Sequence, residues 1–224
     1  MWTKICGVTT LDDATSVVAA GADAIGLNCY AQSKRYVPVS TAIQIRNSVG
    51  DDVDIVLVFV NSTAGEVAEI VADVNPTAVQ FHGDETVETL TEFHRLAPAT
   101  KIIRAFRIGE EGTAEMSDAI AALQAADVPL AAILVDALVA GEYGGTGHRV
   151  ATKLLNDRPS TWPPMILAGG LTPDVVGAAA KEVMPWGVDT ASGVEMRPGV
   201  KNAEKVASFV AAVRAIGGPD RVRL

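Results

Sequence analysis

Strand-like apolar runs and alanine-rich amphipathic stretches alternate along the whole chain, and no Pro, Gly or Ser linker marks a domain boundary. Strands are predicted over 3–6, 24–28, 54–60, 78–81, 101–106, 132–136, 165–168 and 187–190. Helix-like stretches such as 64–74 and 114–126 lie between them. Helix-start signals agree with this parsing. Thr172-Pro173-Asp174 places an N-cap, a proline at the first helical position and an acid in the first turn. Thr63 with Glu66 forms a capping-box pattern, and Thr10 with Asp13 resembles one with aspartate in the place of the usual glutamate or glutamine.

Eight strand–helix units share 224 residues, about 28 each, which fits the compact end of the (β/α)₈ barrel range. A doubly wound open sheet would show the same periodicity; the count of eight favours closure. The fold class expected is therefore α/β, a (β/α)₈ TIM barrel, with residues 1–224 forming a single domain.

Composition narrows the function. Hydrophobic residues make up 49% and charged ones 20%, an ordinary globular balance. No apolar run approaches the ~18 residues of a membrane span, and the amino terminus lacks the basic-then-apolar pattern of a signal peptide. A formal net charge of -9 argues against a general nucleic-acid partner, which demands clustered Lys and Arg, while leaving room for a small anion at a local positive site. Two cysteines and three histidines offer no zinc-ligand spacing, so no metal is expected, and free thiols suit a reducing, cytoplasmic setting.

Candidate chemistry gathers at the carboxyl ends of the strands, where barrels of this kind react their substrates. Cys6 ends the first strand and Gly7 clears space beyond it. Taken alone, Cys6 is also an ordinary small buried hydrophobe. Asp136 ends strand six on the face of Ala132 and Leu134, which aims it over the barrel mouth; capping its own loop is the plainer alternative. The stretch Gly141 to Gly147 follows, glycine-rich but without the Gly-Lys-Ser/Thr of a phosphate-binding Walker loop. Ala168-Gly169-Gly170-Leu171 and Ser192-Gly193, after strands seven and eight, present bare backbone amides where such barrels commonly hold phosphate. In Ser33-Lys34-Arg35-Tyr36, Arg35 has the planar fork that suits a carboxylate.

These motifs recur in order and spacing in a known family: Lys4-Ile5-Cys6-Gly7, Gly21-Ala22-Asp23-Ala24-Ile25-Gly26, Ser33-Lys34-Arg35-Tyr36, Val58-Phe59-Val60-Asn61, Gln80-Phe81-His82-Gly83, Gly144-Gly145-Thr146-Gly147, Ala168-Gly169-Gly170-Leu171 and Ser192-Gly193-Val194-Glu195. The chain resembles the phosphoribosylanthranilate isomerases of tryptophan biosynthesis from end to end. The resemblance implies an aldose–ketose isomerisation, the Amadori rearrangement of N-(5'-phosphoribosyl)anthranilate, with no metal or organic cofactor. It makes Cys6 the general base and Asp136 the general acid. It sets Arg35 against the anthranilate carboxylate, Gly169, Gly170, Ser192 and Gly193 around the phosphate, and His82 and Asp189 as further substrate contacts. The partner implied is the phosphorylated sugar–anthranilate alone, with no nucleic acid or membrane, and the chain is expected as monomer or homodimer.

Both roles set a physical condition. At neutral pH a thiol of ordinary pKa, about 8.5, is a few per cent thiolate, and a carboxyl near 3.9 is almost wholly ionised. Burial raises a carboxyl and a nearby cation lowers a thiol; Lys4, on the face of Cys6, is the candidate cation. Asn28-Cys29-Tyr30 departs from the apolar run usual in the family, near the anthranilate end, and His148-Arg149-Val150-Ala151 departs from its Phe-Asp-Trp. The related isomerase of the histidine pathway carries aspartate as the strand-one base, and Cys6 separates the two. A sugar-phosphate isomerase of altered substrate, and a phosphate-binding barrel without catalysis, are the alternatives.

Overall fold

A computed structural model describes residues 1–108, 112–136, 155–217 and 223–224. Gly141 to Gly147 and His148-Arg149-Val150-Ala151 lie outside the described residues.

Eight parallel strands close into a barrel in chain order: β1 (Trp2–Cys6), β2 (Ala24–Asn28), β3 (Asp54–Phe59), β4 (Ala78–Phe81), β5 (Lys101–Arg107), β6 (Leu130–Asp136), β7 (Met165–Ala168) and β8 (Gly187–Thr190), with β8 pairing back to β1. The open-sheet alternative is thereby excluded. Strand limits move by one or two residues from those expected. One such shift matters: β5 runs on to Arg107, which pairs in register with Asp136 on β6.

Alternation along each strand sorts the core into two. Trp2, Ala24, Val56, Ala78, Ile103, Ala105, Ala132, Leu134, Ile166 and Ala168 pack inside the barrel. Their neighbours, such as Ile25, Leu27, Ile55, Leu57 and Ile133, pack outward against the helices. Five of these ten are alanines, set beside the larger Trp2, Val56, Ile103, Leu134 and Ile166, so that side chains fill the barrel axis. Trp2 fills the floor, stacked on Trp186 at 5.3 Å, with its Nε1 donating to Asp54 at 3.2 Å.

Helix starts follow the sequence with two differences. The helix Ala64–Val74 opens on a complete capping box, Thr63 and Glu66 each satisfying the other's amide. At the helix Leu11–Ala20, Thr10 accepts from the Asp13 amide at 3.1 Å, but Asp13 is one methylene shorter than glutamate and its carboxylate accepts instead from the Lys201 amide at 3.2 Å. Thr172 takes the N-cap backbone geometry ahead of Pro173–Val183 without a side-chain capping bond. After β8 come a single 3₁₀ turn, Ser192–Val194, and an antiparallel hairpin of β9 (Glu195–Arg197) and β10 (Val200–Lys201). That hairpin, absent from the expected parsing, bears directly on the site.

Candidate active site

The inward positions at the carboxyl ends of the strands form one mouth. β1 brings Lys4 and Cys6, β2 Asn28, β4 Gln80 with His82 just beyond it, β5 Arg107, β6 Asp136 and β8 Asp189. Cys6 and Asp136 are both partly exposed there. Space for the thiol comes from Gly26, its register partner: a methyl group at that position would stand 2.7 Å from Sγ.

Below the thiol lies a buried charge pair. Lys4 is fully buried, and its Nζ stands 3.2 Å from Asp189 Oδ1, an ion-pair distance at which neither atom makes a hydrogen bond. Burial opposes the lysine charge, but the aspartate and the neighbouring cysteine outweigh it and raise its pKa, so Lys4 is an ammonium. For Cys6 the balance runs the other way. Burial pushes the thiol up, Asp189 adds to the rise, and Lys4 and Lys201 pull it down without cancelling it. Lys4 therefore acts in the expected direction and is outweighed by desolvation. Replacing Lys4 with methionine is expected to move the thiolate limb of the pH–rate profile upward by about one unit, on the scale of a single close charge. Leaving Asp189 unpaired is expected to destabilise the fold by about 3–5 kcal/mol. An unmoved limb in the folded variant removes Lys4 as an activator.

His82 is partly buried at the mouth. Desolvation and the nearby Lys4 lower its pKa against the opposing pull of Asp189 and Asp136, so the ring is neutral at pH 7. Gln80 Nε2 lies 2.6 Å from His82 Nδ1. With the Gln80 amide in this orientation its nitrogen donates, Nδ1 accepts and the ring proton sits on Nε2. The hollow beside it, about 170 Å³, is lined by His82, Arg104 and Arg107 among others. A larger cavity of about 660 Å³ lies at the opposite end of the barrel, between Trp162 and Trp186, far from these groups.

The two glycine turns press together on the far side of the mouth. Gly169 and Gly170 hold φ of +98° and +60°, in the left-handed region that favours glycine. Thr190 Oγ1 donates to the Leu171 carbonyl at 2.6 Å, and a methyl on Gly193 would meet that same oxygen at 1.9 Å. Gly193→Ala is therefore expected to force the turns apart and to raise KM for a phosphorylated substrate by at least about tenfold, the scale of one lost charge-assisted hydrogen bond. Inhibition by inorganic phosphate should weaken in parallel.

Arg35 lies across Gly7, and its fork is already engaged: Nε and Nη2 donate to Glu195 at 2.8 and 2.7 Å. Cys29 faces the outer core, and burial takes its thiol up to about 12, which makes it filler rather than a second pocket thiol. Asn28 does face the mouth, with its Oδ1 accepting from the Tyr30 amide at 2.9 Å. Sequence reasoning assigned no role to Arg107, Glu195 or Lys201. Alternation carried one residue further along β5 would have found Arg107. Nothing in the local sequence marks Lys201, because its partners are brought to it by the hairpin. Among the described residues no group of three or more His, Cys, Asp or Glu is arranged to hold a metal ion, and no helix is long and apolar enough to cross a membrane.

Comparison with known proteins agrees along the chain. The family model for N-(5'-phosphoribosyl)anthranilate (PRA) isomerase matches residues 3–212. The N-(5'-phosphoribosyl)anthranilate isomerase of Bordetella avium is 40% identical over 218 residues, 95% of each chain. The crystal structure of phosphoribosyl anthranilate isomerase from Thermotoga maritima superposes with a TM-score of 0.81 at 32% identity, covering 96% of this chain and 99% of that one. A phosphoribosyl anthranilate isomerase solved in complex with reduced 1-(o-carboxyphenylamino)-1-deoxyribulose 5-phosphate superposes at 0.76 with 29% identity, covering 96% and 99%. The chain belongs to the N-(5'-phosphoribosyl)anthranilate isomerase family.

Proposed function

We infer that this protein isomerises N-(5'-phosphoribosyl)anthranilate to 1-(2-carboxyphenylamino)-1-deoxyribulose 5-phosphate in tryptophan biosynthesis, and that residues 1–224 act as one catalytic domain. The observation that carries the mechanism is the pairing of a thiol and a carboxyl, Cys6 and Asp136, on inward positions at the tips of β1 and β6, beside two glycine turns. Asp136 gives a proton to the furanose ring oxygen as the C1–O bond breaks, and the anthranilate nitrogen lone pair forms the Schiff base. Cys6, as thiolate, then takes the proton from sugar C2, and the electron pair flows to the iminium to leave an enolamine. Protonation at C1 and loss of the C2 hydroxyl proton complete the ketone, with no atom gained or lost.

Amides of Gly169, Gly170, Ser192 and Gly193 hold the phosphate, a reading supported by the exposure of the Gly170 and Ser192 turns. Arg35 meets the substrate carboxylate with the edge of its guanidinium that Glu195 leaves unbonded. The neutral His82 offers its Nε2 proton to the substrate, and Asp189 acts through Lys4, its ion-pair partner. Free Cys6 and Cys29 support a reducing, cytoplasmic setting.

The test is turnover of N-(5'-phosphoribosyl)anthranilate by the purified protein without added metal or cofactor, followed as loss of anthranilate fluorescence. Turnover is expected. A folded protein that binds phosphate without turnover overturns the reading.

A further inference from the structure

Two buried charges that this chemistry does not use lie directly beneath it. Lys201 is 3% exposed and donates to the Cys6 carbonyl at 2.6 Å, to the Ala191 carbonyl at 3.1 Å and to Glu195 Oε1 at 2.9 Å. Three ammonium protons meet three acceptors. One acceptor belongs to the tip of β1 that bears the thiol, another to the turn that follows β8. Glu195 completes the network by taking Arg35 on both carboxylate oxygens and the Gly199 amide at 3.2 Å. Burial works against its charge, but Arg35 and Lys201 outweigh it and hold its pKa below the usual carboxylate range. Desolvating such ions is costly, and apolar side chains of similar volume commonly pack as well or better. Charge at these positions therefore points to a use for charge.

We propose that Lys201 is a positioning residue of the isomerase site, tying the thiol-bearing tip of β1 to the phosphate turn after β8 and favouring the Cys6 thiolate, while Glu195 holds Lys201 and presents Arg35. The proposal rests on the isomerase reading for the identity of Cys6 as the base. The charges around Cys6 come from Lys4 on its own strand, Asp189 on β8, Arg35 after β2, Glu195 and Lys201 on the hairpin, and His82 and Asp136 across the mouth. Of these, Lys4 and Lys201 draw the thiol down against burial and Asp189. Lys201 is distinguished by reaching the backbone of Cys6 itself.

The experiment is alkylation by iodoacetamide, which reads the Cys6 thiolate without needing turnover, in protein carrying Cys29→Ala so that one thiol remains of two. Lys201→Met is expected to raise the pH midpoint of alkylation by about one unit, or about tenfold less thiolate at a fixed pH below it. Glu195→Gln keeps the shape and an amide oxygen that still accepts from Lys201, and removes only a negative charge, so its midpoint is expected to fall. Contacts that serve only structure would move both variants together or neither. A folded Lys201→Met protein with the parent midpoint overturns the proposal, as do shifts of the same sign. If Lys201→Met does not fold, Glu195→Gln decides, and a midpoint at or above the parent's overturns it. A shifted midpoint with undiminished turnover instead strikes at Cys6 as the base, which keeps the two failures apart.

Discussion

A Cys6→Ala protein is expected to fold like the parent and to lose about 10²–10⁴ of kcat, the usual share of a positioned general base. The substitution removes one sulfur from a partly exposed position and leaves the strand ladder intact, so stability should change little. No other titratable side chain shares the tip of β1, and Lys4 beneath it is held as an ammonium, which cannot accept a proton. Substrate binding through the glycine turns is independent of the thiol, so KM should stay within a few-fold. In the parent, activity should rise with pH through the thiol pKa, because the thiolate is the active form and burial places that pKa above its ordinary value. Steady-state fluorescence assays from pH 6 to 10 check both points. A kcat within tenfold of the parent would show that the base lies elsewhere.

Asp136→Asn is expected to cost a similar factor of about 10²–10⁴ in kcat with KM nearly unchanged. The amide fills the volume of the carboxyl, but its N–H is far too weak an acid to protonate a leaving oxygen. Backbone contacts at this position, including the bond from the Ile108 amide to the Asp136 carbonyl at 3.3 Å, do not involve the side chain. The KM–kcat split is the informative readout. A raised KM with intact kcat would make Asp136 a binding group and return the proton donor to the neighbouring strand tips.

Much of the fold was legible because its local rules agree. Apolar runs, alanine-rich stretches and the capping pair Thr63 and Glu66 each predict the element found there. Cys6 and Asp136 were legible for the same reason, since a period of two fixes which face a strand-end residue shares. The limits of that reasoning are equally local. Arg35 was expected to face a substrate carboxylate, and its fork lies on Glu195, 160 positions away. The aspartate at Asp13 completes a contact to Lys201 instead of its own helix. The second half of the Lys4 argument also needed the structure: whether a cation lowers a thiol depends on how much burial it must overcome, and burial is a property of packing.

By itself, then, the sequence determined the strand and helix order, the glycine turns and which side chains end the strands on the inward face. These follow from steric limits on single residues and from the periods of the two regular structures. Tertiary structure alone decided what those side chains meet. Closure of the barrel brought Asp189 to Lys4 and Arg107 beside Asp136, and the β9–β10 hairpin carried Lys201 to the carbonyl of Cys6, 195 positions earlier in the chain. Such pairings have no signature in either local sequence, because the charge of each member is balanced by a partner that only the closed fold delivers.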